Sequence, residues 1–230
     1  MIDRAAVGVA EAPWSSSGDA PTIVGCARSQ LRTTIVDDAL DCVGADNPLS
    51  YRVPIHGTVG RVLQPPDVLV LLSLFRAEET WTLRSLADRL GVKHSKVQRA
   101  LARLEQAGLY DAQRRTPIPH ASEEFLEHAL KYLHPITQGP PARGVPTAWG
   151  ATPLDQRIAP DGEPPPVWPD PHGDVRGVAV EPLDDALPQL RLTWPEVAEL
   201  AALADGLRLG DARVREAAWD ELRQRLRAAT

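Results

Sequence analysis

Cysteine is nearly absent from these 230 residues, with only Cys26 and Cys42, so no disulfide scaffold holds the chain together. The two are not part of a CxxC motif and have no paired histidines beside them, which excludes a zinc site of the usual spacing. Aromatic residues are scarce at 5%, although hydrophobic residues reach 43%, enough for a globular core. No run of about 18 apolar residues occurs, so no membrane span is expected. The N-terminal stretch carries acidic Asp3 and Glu11 and lacks the charged-then-apolar order of a signal peptide. A cytoplasmic location is therefore expected.

Recognisable reaction chemistry is missing too. Gly206 and Gly210 are not followed by Lys-Ser/Thr, so no phosphate loop is present. No Ser, Cys or His lies in a nucleophile motif. His120, His128 and His134 fit no common ligand spacing. Asp170, His172 and Asp174 lie in a proline-rich turn, where local Asx-type hydrogen bonds account for them. No enzyme activity, cofactor or metal is expected.

Proline, in contrast, is abundant. There are 22, roughly twice the usual ~5%, and eleven of them fall between Pro135 and Pro171. Tandem prolines such as Pro164-Pro165-Pro166 favour extended backbone, so residues 135–192 read as an irregular segment. Residues 1–58 show no sustained period of 3.6 or 2 and read as poorly ordered.

Charge is unevenly distributed. The chain carries −6 overall, yet residues 60–116 hold ten Lys/Arg against six Asp/Glu, a local surplus of +4 in an otherwise acidic sequence. A small positive module suits contact with a polyanion.

Periodicity begins at Pro65-Pro66-Asp67, where a helix start leads into the apolar run from Val68 to Phe75. Thr82 caps a helix over Leu83–Leu90, with Leu83, Leu86, Ala87 and Leu90 on one face. Gly91 ends it. A second helix spans about His94 to Ala107, with Val97, Leu101, Leu104 and Ala107 inward, and Gly108 ends it. Ser122 is placed as the cap of a helix to Leu133, with Phe125, Ala129, Tyr132 and Leu133 apolar. Thr193-Trp194-Pro195-Glu196 reads as a capping box opening a helix to about Leu207. A final helix over 211–228 places Val214, Ala218, Leu222 and Leu226 on one face. The whole is a mainly α protein with segments 1–58, 59–134, 135–192 and a C-terminal helical pair over 193–230.

The stretch from Thr82 to Tyr110, TLRSLADRLGVKHSKVQRALARLEQAGLY, has a physical logic of its own. Gly91 allows a tight reversal, so the two helices cross and bury Leu86, Ala87 and Leu90 against Val97, Leu101 and Leu104. Through Leu90-Gly91-Val92 and Leu104-Glu105-Gln106-Ala107-Gly108-Leu109 the stretch resembles the winged helix-turn-helix superfamily, particularly MarR-like bacterial regulators. The resemblance covers about residues 65–116, roughly a fifth of the chain.

That resemblance implies double-stranded DNA as partner and transcriptional regulation, in the form of repression, as function. It places His94, Ser95 and Lys96 at the start of a recognition helix which, with Gln98 and Arg99, meets the major groove. Arg103 and Arg84 are expected on phosphates, with Lys93 beside them in the turn. Arg114 and Arg115 fall where a wing reaches the minor groove, although Pro117 and Pro119 leave little room for one.

A single recognition helix reads few base pairs, so a homodimer is expected, with helices 122–133, 194–207 and 211–228 as candidate seams. The alternative reading is an antitoxin-like or adaptor protein. In that case residues 135–230 clasp a protein partner, with Trp149 and Trp168 as anchors. A ligand-responsive regulator with an apolar pocket is a third.

Overall fold

The computed structural model describes residues 62–158 and 162–228. The expectation for residues 1–58, including both cysteines, lies outside the described residues. Among the described residues no helix is long and apolar enough to cross a membrane.

The fold is mainly α and is organised around two helices that are apolar on nearly every side. The first, α1 (Pro65–Leu74), starts on two prolines whose missing N–H groups would have no helical partner there anyway. Asp67 accepts the Gln64 backbone N–H at 2.7 Å, and Val68 to Leu74 are buried. The second is α8 (Pro195–Leu209), buried from Leu200 to Leu207. A helix without a polar face belongs in a core, and these two pack against each other.

On α1 lies α3 (His94–Gln106), and α2 (Leu83–Leu90) packs on α3. Thr82 caps α2 as expected: its hydroxyl accepts the Ser85 backbone N–H at 3.0 Å, and the Ser85 hydroxyl accepts the Thr82 N–H at 2.8 Å. Gly91 takes φ +68°, the left-handed conformation that turns the chain between α2 and α3, and Gly108 takes φ +73° after α3. Leu86, Ala87 and Leu90 face Val97, Ala100, Leu101 and Leu104 in the core. A two-stranded hairpin follows, β1 (Tyr110–Asp111) paired antiparallel with β2 (Thr116–Pro117).

The helix expected from Ser122 starts earlier, at Pro119. It runs as α4 (Pro119–Glu124), a π-helical turn over Phe125–Ala129, and α5 (Leu130–Leu133). Ser122 is therefore inside the helix, its hydroxyl donating to the Ile118 carbonyl at 2.8 Å. The wider π turn shifts the helical phase. Leu126 and Leu130 are buried, while Tyr132 and Leu133, two of the apolar residues named for this helix, are 75% and 49% exposed.

The proline-rich segment is not irregular. It contains β3 (Gln138–Pro146), a short helix α6 (Leu154–Arg157), β4 (Pro166–Pro169) and β5 (Val175–Val180), and the three strands close into a small barrel. β3 pairs antiparallel with both partners, and β4 pairs parallel with β5. Proline suits extended φ, and in such short strands few ladder donors are lost; the β3–β5 register slips where Pro140 and Pro141 fall. Gly177 lets strands meet closely, since a Cβ there would lie 1.9 Å from the Pro165 carbonyl oxygen.

The capping box at Thr193 does not form. Thr193 instead ends α7 (Leu187–Thr193), and the Trp194 backbone N–H donates to Leu190 O at 2.7 Å. Leu187 and Leu190 are buried, so packing continues the helix through the position where a cap was expected. The last helix, α9 (Ala212–Ala228), buries Val214, Ala218, Leu222 and Leu226 as its spacing predicts.

Segments 59–134, 135–192 and 193–230 contribute to one hydrophobic cluster through α1–α8, α5–α8 and α2–α7 contacts. The apolar face of α9 and nearly all of α8 are used within the fold, so neither supplies a free apolar seam for a homodimer.

Candidate nucleic-acid interface

The residues singled out along α3 fall into two groups once its packing is known. Val97, Ala100, Leu101 and Leu104 face the core. His94, Ser95, Gln98 and Arg99 are exposed, with Lys93 just before them. Ser95, Gln98 and Arg99 are spaced by three and four residues and so share one face of the helix. The Arg99 guanidinium lies back along that face, its Nε donating to Ser95 O at 3.2 Å. Arg84 is exposed in the first turn of α2. Among the described residues Arg84, Lys93 and Arg99 make no ion pair.

Three predicted contacts are engaged elsewhere. Arg103, expected on a phosphate, makes a two-pronged ion pair with Asp67 of α1, both contacts at 2.6 Å. The Asp67 side chain is fully buried and its hydrogen bonds hold the guanidinium more firmly protonated than usual. Arg103 flanks the buried stripe of α3 rather than lying opposite it, so it reaches inward.

Lys96, also expected at the DNA, forms an ion pair with Asp184, whose side chain is 3% exposed. Asp184 belongs to the loop before α7, far away in sequence.

Arg115 is the third. It was expected at the minor groove, but its Nη2 donates to Trp81 O at 2.6 Å, and its guanidinium sits 4.3 Å from the centre of the Trp81 ring. Trp81 Nε1–H donates back to Arg115 O at 3.2 Å. These contacts hold Arg115 at φ 59°, where a non-glycine residue is disfavoured. The hairpin is therefore short and tied to the body. Arg114 remains exposed, approaching Asp111 at 3.8 Å.

The partners Asp67 and Asp184 were missed from the sequence. Asp67 carried a usable signal, as an acid in the first turn of a helix with no polar face. Asp184 carried none.

The rejected candidates have local explanations. Asp170 Oδ1 accepts the His172 backbone N–H at 2.8 Å, the expected Asx-type turn. Trp168, considered a partner anchor, is 1% exposed and its Nε1–H donates to the buried Asp205 at 2.6 Å, so it presents no surface; Trp149 is half-buried.

Comparison with protein-family models, curated proteins and solved structures finds no match for this chain.

Proposed function

We propose that this chain is a DNA-binding transcriptional regulator of the winged helix-turn-helix type, a repressor that reads the major groove with α3. The observation carrying this reading is the uncovered face of α3, where Ser95, Gln98 and Arg99 stand together over a helix held rigid from behind by Val97, Ala100, Leu101 and Leu104. Arginine and glutamine present paired hydrogen-bonding groups that match base edges. The left-handed turn at Gly91 and the hairpin after Gly108 add support, as does the resemblance over about residues 65–116.

On this reading Gln98 and Arg99, with His94 and Ser95, contact bases. Lys93, Arg84 and Arg114 contact phosphates. Arg103, Lys96 and Arg115 leave the contact list because Asp67, Asp184 and Trp81 engage them. The antitoxin-like or adaptor alternative loses Trp168 as an anchor.

A mobility-shift titration with DNA from upstream of the protein's own coding region tests the proposal. Retention should weaken log-linearly with salt, as counterion release requires. Absence of binding at low salt would overturn it.

A further inference from the structure

The start of α3 borders a groove of about 430 Å³ shared by Lys93, Lys96 and Arg99 with Asp184 and Asp185. We propose that Asp184 is a built-in competitor of DNA: it holds Lys96 in an internal ion pair and, with Asp185, sets negative charge where a phosphate would approach. This inference rests on the DNA-binding reading.

Asp184 is fixed in place by its surroundings. Its Oδ1 accepts the Ala186 backbone N–H at 3.1 Å, and its carbonyl accepts that of Leu187 at 3.0 Å. Leu183 and Leu187, on either side, are 1% and 0% exposed. The side chain is thus pinned with almost no access to water, and Lys96 Nζ is its ion-pair partner. Moving Lys96 to a phosphate would leave a buried carboxylate uncompensated, which is strongly unfavourable. Lys96 therefore stays with Asp184, and phosphate contact at this end of α3 falls to Lys93. Asp185 is exposed beside the pair and repels the same phosphate.

Asp184→Asn keeps an oxygen for the Ala186 N–H but removes the charge. Binding to any duplex should then tighten by about fivefold to tenfold, and the salt slope should steepen by about one contact as Lys96 becomes available. Adding Lys96→Ala should abolish that gain. Asp185→Asn should tighten binding without changing the slope. A folded Asp184→Asn protein that binds like wild type, or more weakly, overturns the proposal. If Asp184→Asn does not fold, Asp185→Asn carries the test, and unchanged affinity there overturns it.

Amine acylation read by mass spectrometry separates failure of this inference from failure of the DNA-binding reading. Lys96 should react more slowly than Lys93 in wild type and gain reactivity in Asp184→Asn. Equal rates in wild type overturn the ion pair whatever the DNA result. Protected Lys96 in a protein that retains no DNA at low salt overturns the DNA-binding reading, and the competition with it.

Discussion

Arg103 and Asp67 join the last turn of the third helix to the first turn of the first, through two hydrogen bonds of 2.6 Å each. The carboxylate is fully buried and the guanidinium side chain is 19% exposed. The pair fixes how α3 sits on α1, and so which of its faces remains outside. Its role is architectural, although it lies on a helix rich in cations.

Arg103→Ala leaves the Asp67 carboxylate buried without its charged partner, and removing one member of a buried pair costs about 3–5 kcal/mol. Chemical denaturation should show a loss of that size. The doubly apolar replacement Asp67→Leu with Arg103→Met should recover much of it, because no charge is then stranded. A loss below about 1 kcal/mol for Arg103→Ala would mean that water reaches Asp67.

What the sequence made legible was local. Thr82, Gly91 and Gly108 act within a few residues of themselves, through a cap and two left-handed turns, so their positions in the chain suffice to predict them. The burial of Val97, Leu101 and Leu104 follows from helical period, whereas Ala107, placed inward by the same period, is exposed because α3 ends at Gln106. The failures depend on distant partners or on a changed period. In the helix carrying the π turn at Phe125–Ala129, Leu126 and Leu130 are buried while Tyr132 and Leu133 are exposed. The proline-rich stretch becomes strands because β3, β4 and β5 satisfy one another, which no single one reveals. Lys96 and Arg103 looked like DNA contacts because Asp184 and Asp67 cannot be placed beside them from spacing.

His134 makes stability depend on pH. The residue is 7% exposed, and its Nε2 is buried with no hydrogen-bond partner among the described residues. Burial, and then the nearby Arg208 charge, push its pKa below the ordinary histidine value. Above about pH 6.5 the ring is neutral whether the chain is folded or unfolded, and its contribution is complete. As pH falls below that value the unfolded chain takes up a proton that the folded one resists, so stability declines towards the depressed folded pKa. The ion-paired Glu123 and Glu221 have lowered pKa values and act only in the more acidic carboxylate range. Denaturation midpoints between pH 7 and 5 should fall for wild type and flatten for His134→Gln; equal slopes would show that water solvates the ring.

Gly177→Ala should open the small barrel. Its Cβ would lie 1.9 Å from the Pro165 carbonyl oxygen, a backbone atom that also accepts the Val178 N–H at 2.9 Å. The strands must separate, and overpacking of this kind costs about 1–3 kcal/mol or more. Gly139→Ala is the matched control, since its Cβ first meets the Ala179 Cβ at 3.4 Å; it should stay within about 0.5 kcal/mol. Similar melting temperatures for the two variants would show that the β4–β5 contact is looser than described.

Arg99 and Arg84 should separate into two kinds of DNA contact. Both are exposed, so either alanine variant should keep its stability within about 0.5 kcal/mol, and any loss of binding then reflects the interface itself. Arg99 stands one turn into α3 beside Gln98, where its planar fork can match a guanine edge. Arg99→Ala should cost about 1–3 kcal/mol on the preferred operator and relax the preference at one base position. Arg84 opens α2 and on this reading reaches only the backbone. Arg84→Ala should weaken all sequences alike and reduce the salt slope by about one. Binding measured on operator variants at several salt concentrations distinguishes the two patterns. If Arg99→Ala weakened every sequence equally and lowered the salt slope, α3 would hold phosphate there, and base reading would pass to Gln98 and Ser95.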